Sequence, residues 1–387
     1  MLLTADTLLT GRELLRPGWI DVSDGTVSAV GAGSPPRPAD RELGPVTVVP
    51  GFVDTHLHGG GGANFSAGST AETSTAVALH RRHGTTTLVA SLVTAAPAEL
   101  LRQVGELADH VRGGELDGIH LEGPWLSVKR CGAHQPALMR DPDPAEIDRV
   151  LEAGGGAVRM VTIAPERDGA LAAIARMVDA GVVVAVGHTE ATYEQTRSAI
   201  AAGATVGTHL FNAMRPIDRR EPGPIIALLE DPSVTVELIT DGVHVAPAIY
   251  RHVSAAAGPD RVSLVTDAMA ATGMADGVYH LGPLAVDVVG GVARVSGTDT
   301  VAGSTATMDQ VFRFAVAHSG LPLDEALMLA VRQASLNPAR ALALSDAGLV
   351  PGAKADLVVL DSALVVRGVL RRGSWVVDPV SASGPRR

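Results

Sequence analysis

Val182-Val183-Val184-Ala185-Val186-Gly187-His188-Thr189 and, after an Ala-rich segment of helical length, Thr205-Val206-Gly207-Thr208-His209-Leu210-Phe211-Asn212 decide the fold. Each is a short apolar run that closes on a histidine, and the interval between them accommodates one helix. The pair therefore reads as consecutive βα units. The same alternation extends back to Phe52 and forward to Thr266. Its strand-like runs are Phe52 to His56, Thr86 to Ser91, Gly118 to Leu121, Val158 to Ile163, Val182 to Val186, Thr205 to Thr208, Val234 to Thr240 and Val262 to Thr266. Eight parallel strands with helices between them is the count for a closed (β/α)8 barrel of the TIM type, and a span of about 215 residues suits it. A doubly wound open sheet is the alternative.

The flanks have a different texture. From Leu2 to Val49, short apolar runs are separated by turn signals, as in Trp19-Ile20-Asp21-Val22 and Thr26-Val27-Ser28-Ala29-Val30 around Asp24-Gly25. Such spacing predicts hairpins. Beyond the barrel, Val278 to Val295 reads as a hairpin insertion, and Met308 to Leu344 as helical with a turn at Asn337-Pro338. Asp356 to Leu360 and Leu364 to Val366 return to strand. The expected division is a small β-rich, sandwich-like domain from residues 1–49 and 347–380, a barrel over 50–346 with the insertion near 276–298, and a polar tail at 381–387.

The bulk numbers exclude several function classes. At 387 residues the chain is long enough for a large core, and 46% hydrophobic with only 3% aromatic residues makes that core aliphatic. A formal charge of −11, from 31 basic and 42 acidic residues, argues against holding nucleic acid or an anionic membrane by overall field. Any anionic ligand must be captured locally. The single cysteine, Cys131, rules out an intramolecular disulfide and a cysteine-rich zinc site, which favours a reducing compartment and hence the cytoplasm. Met1 to Thr10 lacks a basic leader, and no apolar stretch reaches membrane-spanning length uninterrupted.

Polar residues fall where barrel enzymes keep their chemistry, at the C-terminal strand ends. His56 and His58 alternate along the first run, so both imidazoles can face one ion. Glu122 follows the third run, His188 the fifth, His209 the sixth and Asp267 the eighth. Taken singly, each has an ordinary reading as a polar strand-end residue, a satisfied core histidine or a helix cap. Six such residues at matching positions on five strands point instead to a shared divalent metal. Imidazole and carboxylate without thiolate suit zinc, iron or a similar ion. An open coordination position would make it catalytic, lowering the pKa of water and polarising a carbonyl, with Asp267 the candidate proton shuttle. The implied chemistry is metal-assisted hydrolysis of an amide-like bond.

At this point the strings Pro50-Gly51-Phe52-Val53-Asp54-Thr55-His56, His120-Leu121-Glu122-Gly123-Pro124-Trp125, Gly132-Ala133-His134, Thr208-His209-Leu210-Phe211-Asn212-Ala213-Met214, Asp241-Gly242-Val243-His244 and Thr266-Asp267-Ala268 can be read together. They resemble the N-acetylglucosamine-6-phosphate deacetylases of the amidohydrolase superfamily, nearly end to end. The resemblance implies that Glu122, His188 and His209 hold the main metal, that Asp267 is the general acid/base, and that His134 lies by the acetyl carbonyl. It further implies that Asn212, Ala213, Arg220 and His244 contact sugar and phosphate, and that members pair as homodimers lending Arg220-type contacts across the interface. Arg215, Arg219 and Arg220 supply the local positive charge that the overall balance lacks, and guanidinium suits bidentate phosphate recognition. Because His56 and His58 are both present, one or two metals per subunit are implied, with Glu122 the natural bridge.

Cys131 departs from the family pattern, either as an incidental loop thiol or, beside Lys129 and Arg130, as a reactive thiol, a metal contact or a lid element that modulates the loop. Gly59 to Gly62 read as a flexible βα connection, since a nucleotide loop would need a Lys-Ser/Thr ending. Two competing readings are a cyclic-amide hydrolase of dihydroorotase or hydantoinase type and a noncatalytic barrel scaffold. The first typically bridges two metals with a modified lysine where Glu122 stands, and the second would tend to lose ligands that this chain keeps.

Overall fold

A computed structural model describes residues 1–344 and 347–379. The expected tail at 381–387 and the domain limits at 346 and 380 lie outside them. The described chain packs as two compact units. One comprises Met1–Asp54, His80–Thr87 and the described residues from Met308 onward, and the other comprises Thr55–Leu79 and Leu88–Thr307.

The first unit contains two sheets. Gly18–Ser23 alternates buried and less buried positions, with Gly18, Ile20 and Val22 inward, as a strand with one covered face must. It pairs antiparallel with Thr26–Ala32 and with Leu2–Ala5, forming most of a four-stranded sheet. The six-stranded sheet joins both chain ends, because Leu357–Leu360 runs antiparallel to Thr47–Pro50. Leu3, Ile20 and Val22 of one sheet and Leu8, Val48, Leu357 and Leu370 of the other share a buried aliphatic core, which makes the pair a sandwich. Two details differ from the sequence expectation. Leu364 lies in a turn with φ of 58°, and the strand that follows is Val366–Arg371. Asn337-Pro338 is not a turn but lies in the helix Asn337–Ala341, which continues directly from the π-helical turn Arg332–Leu336; a wider turn of that kind is a usual irregularity within a helix.

The eight expected runs form one parallel sheet: Phe52–Leu57, Thr85–Leu92, Gly118–Glu122, Val158–Ile163, Val183–Val186, Val206–Gly207, Thr235–Ile239 and Val262–Val265. A parallel bridge between Leu57 and Ala268, with Asp267 N–H donating to His56 C=O at 2.8 Å, links the last strand end to the first and closes the ring. A helix follows each of the first seven strands. Strands covered on both faces bury every residue, and Phe52–Leu57, Gly118–Glu122 and Thr235–Ile239 do so. Val183–Val186 and Val262–Val265 read as nearly unbroken apolar runs, which makes the polar residues just beyond them conspicuous.

The insertion after the eighth strand has three antiparallel strands, Gly277–Leu281, Leu284–Val289 and Val292–Val295, rather than the two of a hairpin. Its Leu281, Val286 and Val288 pack with Met269, Ala133 and Val93 and so wall the mouth of the barrel. Gly59 to Gly62 are also more ordered than a flexible connection. Gly59–Gly60 pairs with Ala63–Asn64, and the Gly61 and Gly62 N–H groups donate to Thr272 and Ala270. Among the described residues, no helix is long and apolar enough to cross a membrane.

Candidate active site

Seven titratable side chains converge at the C-terminal end of the barrel strands, all at most 8% exposed: His56, His58, Glu122, His134, His188, His209 and Asp267. Glu122 is their centre. Its Oε1 lies 3.0 Å from Nε2 of both His188 and His209, and 3.4 Å from Nε2 of His56. Its Oε2 lies 3.2 Å from Nε2 of both His58 and His134. Asp267 Oδ1 faces His58 Nε2 at 3.2 Å and His56 Nε2 at 3.6 Å.

Strand ends alone would not aim these groups. His188, His209 and Asp267 have φ of 47°, 27° and 49°, the left-handed region that costs a non-glycine residue of order 1–3 kcal/mol. Hydrogen bonds hold them there. The His209 N–H donates to Glu237 Oε2 at 3.3 Å, and the Asp267 carbonyl accepts from Ser304 N–H at 2.7 Å. Gly187 provides the space beside His188, because a Cβ there would lie 2.6 Å from Thr208 Cβ and 2.8 Å from Thr162 Cγ2. Gly187→Ala is expected to force the fifth and sixth strands apart, lowering both the melting temperature and retained metal. Thermal denaturation and elemental analysis of one preparation check this.

The donor set passes a chemical test for a cation. His188 Nδ1 donates to the Arg130 carbonyl at 2.9 Å, so its Nε2 carries a lone pair. That lone pair faces His209 Nε2 at 3.1 Å and the Glu122 carboxylate at 3.0 Å. Three electron-rich atoms in mutual contact call for a positive charge between them. Ligands bonded at 2.0–2.1 Å in a tetrahedron lie about 3.3 Å apart. A ring whose distal nitrogen donates to a carbonyl is the usual metal-binding tautomer. His56, His58 and Glu122 form a second group of the same kind, and His56, His209 and Asp267 a third.

The electrostatics separate the roles. Burial would raise the Glu122 carboxyl, but the imidazoles of His56, His188 and His134 around it hold it well below the carboxylate range. Against the same desolvation, His56 and His58 hold Asp267 at about 2, so it is ionised at neutral pH. Burial depresses His58, yet hydrogen bonds to Asp267 and Glu122 lift it to about 9. His134 is different: burial pulls it to about 4, so it is neutral. Its Nδ1 accepts from the Thr94 backbone N–H at 3.2 Å, which places the ring proton on Nε2, the nitrogen that faces the centre.

His58, Glu122, His134, His188, His209 and Asp267 floor a cavity of about 320 Å³, within the range of small-ligand sites. Asn212, Ala213, His244, Lys129 and Arg130 line the same space. His244 Nδ1 lies 2.7 Å from Asp241 Oδ2, and although burial opposes its charged form, Asp241 raises its pKa. Asn212 donates its amide to the His209 and Leu210 carbonyls, bracing the turn that carries Ala213. Arg220 is exposed and is not among the residues lining the cavity of its own chain. Cys131 is partly buried, and its neighbours Gly132 and Ala133 line the cavity while the thiol's residue does not.

Sequence reasoning missed three contributors. Glu237 lies inside the seventh strand and contacts His56. Thr94 fixes the His134 tautomer. His120, assigned no part in the site, packs its ring 4.6 Å from that of His56 and bonds Ser91 and Thr162. Only Glu237 left a signal, as a lone carboxylate within an otherwise apolar run.

A closed parallel barrel with imidazole and carboxylate groups on its strand ends defines a metal-dependent hydrolase scaffold, and the chain belongs to the amidohydrolase family, which matches residues 47–376. Within that family it groups with the N-acetylglucosamine-6-phosphate deacetylases. A Mycobacterium smegmatis structure, described as the D267A mutant of N-acetyl-D-glucosamine-6-phosphate deacetylase in complex with N-acetyl-D-glucosamine-6-phosphate, is 75% identical. It superposes with a TM-score of 0.97 over 98% of this chain and 99% of that one. N-acetylglucosamine-6-phosphate deacetylase of Vibrio furnissii is 34% identical over 99% of this chain and 96% of its own. An Escherichia coli O157:H7 relative, 35% identical over 95% of this chain and 98% of its own, is an N-acetylgalactosamine-6-phosphate deacetylase.

Proposed function

We propose that this cavity hydrolyses the N-acetyl group of N-acetylglucosamine 6-phosphate, giving glucosamine 6-phosphate and acetate in amino-sugar catabolism and cell-wall recycling. The observation that carries this reading is the meeting of Glu122, His188 and His209 within 3.0–3.1 Å, with an ionised Asp267 and a neutral His134 on the same wall. Neither a cyclic-amide hydrolase nor a scaffold accounts for that set together with the near full-length similarity to deacetylases.

Glu122, His188 and His209 would hold the main divalent cation, and His56 and His58 a second one with Glu122 between them; zinc or iron fits these donors. When bound, the ion supplies Lewis acidity toward the acetyl oxygen and acidifies water at that wall. The chain's own groups do the rest. Asp267 takes the proton from the attacking water and returns it to the leaving nitrogen, which must depart as an amine. His134 donates its Nε2 proton toward the acetyl oxygen as negative charge develops there. Asn212 and Ala213 position the sugar. His244, favoured as imidazolium by Asp241, receives the phosphate together with Arg220 from a second copy of the chain, so the active unit is a homodimer. The compartment is the cytoplasm.

The test is an acetate-release screen over phosphorylated and unphosphorylated N-acetyl amino sugars, before and after chelation. Release confined to the 6-phosphates, lost on chelation and restored by zinc, is expected. Metal-loaded protein that frees no acetate from any of them would end the proposal. His244→Ala is expected to raise KM for the phosphorylated sugar roughly ten- to hundredfold, the worth of a charge-assisted hydrogen bond, with a smaller change in kcat. Steady-state kinetics check the split.

A further inference from the structure

Glu237 is 1% exposed within Thr235–Ile239, where Val236, Leu238 and Ile239 are also buried. A carboxylate in such surroundings costs several kcal/mol unless every lone pair is used, so its partners reveal what keeps it there. Its Oε2 accepts from His56 Nδ1–H at 3.2 Å and from the His209 backbone N–H at 3.3 Å, and its Oε1 from the Thr55 hydroxyl at 3.4 Å. Its own carbonyl accepts from Leu210 N–H at 2.8 Å. One residue thus grips the ends of two other strands, and each end carries a presumed ligand.

Both grips have directional consequences. Donation from His56 Nδ1 places that ring's lone pair on Nε2, which faces Glu122 Oε1 at 3.4 Å and Asp267 Oδ1 at 3.6 Å. Without the carboxylate, the opposite tautomer would turn an N–H toward the centre. The bonds to the His209 N–H and Leu210 N–H hold the 27° φ that swings the His209 ring inward. We infer that Glu237 is a positioning residue that orients His56 and His209 toward the shared cation and thereby sets the affinity of the site for its metal, the group formed by His56, His58 and Glu122 above all. The inference rests on the metal reading proposed above.

Partners that orient metal-binding histidines in this way typically govern affinity by 10–100-fold. The experiment titrates zinc, against a competing chelating dye, into metal-stripped wild-type protein, Glu237→Leu and Glu237→Gln, with melting temperatures measured alongside. Leucine fills the volume without an acceptor, whereas glutamine can keep one acceptor oxygen in place. Zinc binding roughly 10–100-fold weaker for leucine, a smaller loss for glutamine, and recovery of acetate release in excess zinc are expected. Folded leucine protein that binds zinc as the wild type does would overturn the inference, as would lower melting temperatures in both variants with unchanged zinc affinity. If leucine fails to fold, glutamine decides: wild-type affinity counts against the inference and weakened binding supports it. Wild-type protein that takes up no zinc would sink the metal reading, and the role of Glu237 with it.

Discussion

Replacing Asp267 with asparagine is expected to cut acetate release by about 10²–10⁴-fold, the usual contribution of a positioned acid/base group, while zinc content and sugar-phosphate binding stay near wild type. The choice of asparagine matters. Asp267 has φ of 49°, its N–H donates to the His56 carbonyl at 2.8 Å, and its carbonyl accepts from Ser304 at 2.7 Å. Asparagine tolerates left-handed backbone, so these bonds survive. What disappears is a carboxylate ionised at neutral pH that can take up a proton, because an amide cannot. Single-turnover acetate release, measured beside zinc content and equilibrium binding of the phosphorylated sugar, separates the chemistry from assembly. Near-normal turnover in the variant would remove Asp267 from the proton path.

The second large effect belongs to Glu122→Gln. The carboxylate lies within 3.4 Å of five imidazole Nε2 atoms, those of His56, His58, His134, His188 and His209. Glutamine has nearly the same shape but brings no negative charge and offers one oxygen where two are used. Cation binding and turnover are both expected to fall to background. Stability provides an independent reading. Zinc at a thousandfold excess over its Kd should stabilise the wild-type protein by about 4 kcal/mol, and should leave the variant's melting temperature unmoved. A variant that keeps its metal and its zinc-dependent stabilisation would show that Glu122 is a bystander.

The parts of this molecule legible in the sequence were those that burial makes monotonous. Strands covered by neighbouring layers, such as Val183–Val186 and Val262–Val265, appear as largely apolar runs, so a histidine or carboxylate close to a strand end stands out. For that reason His56, Glu122, His188, His209 and Asp267 could be found before any geometry was known, and the structure brings them together. Glu237 escaped because its place within the seventh run looks like an imperfect strand until His56 is seen against it. Thr94 escaped because its contribution to His134 is chiefly a backbone N–H, which no side chain advertises.

Local signals misled in two places. Asn337-Pro338 carries the composition of a turn, yet helical backbone runs through the π-helical turn Arg332–Leu336 into Asn337–Ala341 and takes the proline within it. The insertion showed two strands and contains three, because Gly290-Gly291 lies within an interval that reads as one run and turns the chain back between Val289 and Val292. Arg220 marks a different boundary. The family resemblance, not its spacing, implied a phosphate contact for it, and it is exposed on its own chain and does not line the cavity there.

The most direct measurement is anomalous diffraction at the zinc absorption edge from crystals grown with zinc. A peak about 2.0–2.2 Å from a Glu122 oxygen and from Nε2 of both His188 and His209 is expected. Zinc found only elsewhere in the barrel, with those three side chains turned apart, would contradict a shared cation as the basis of this chemistry.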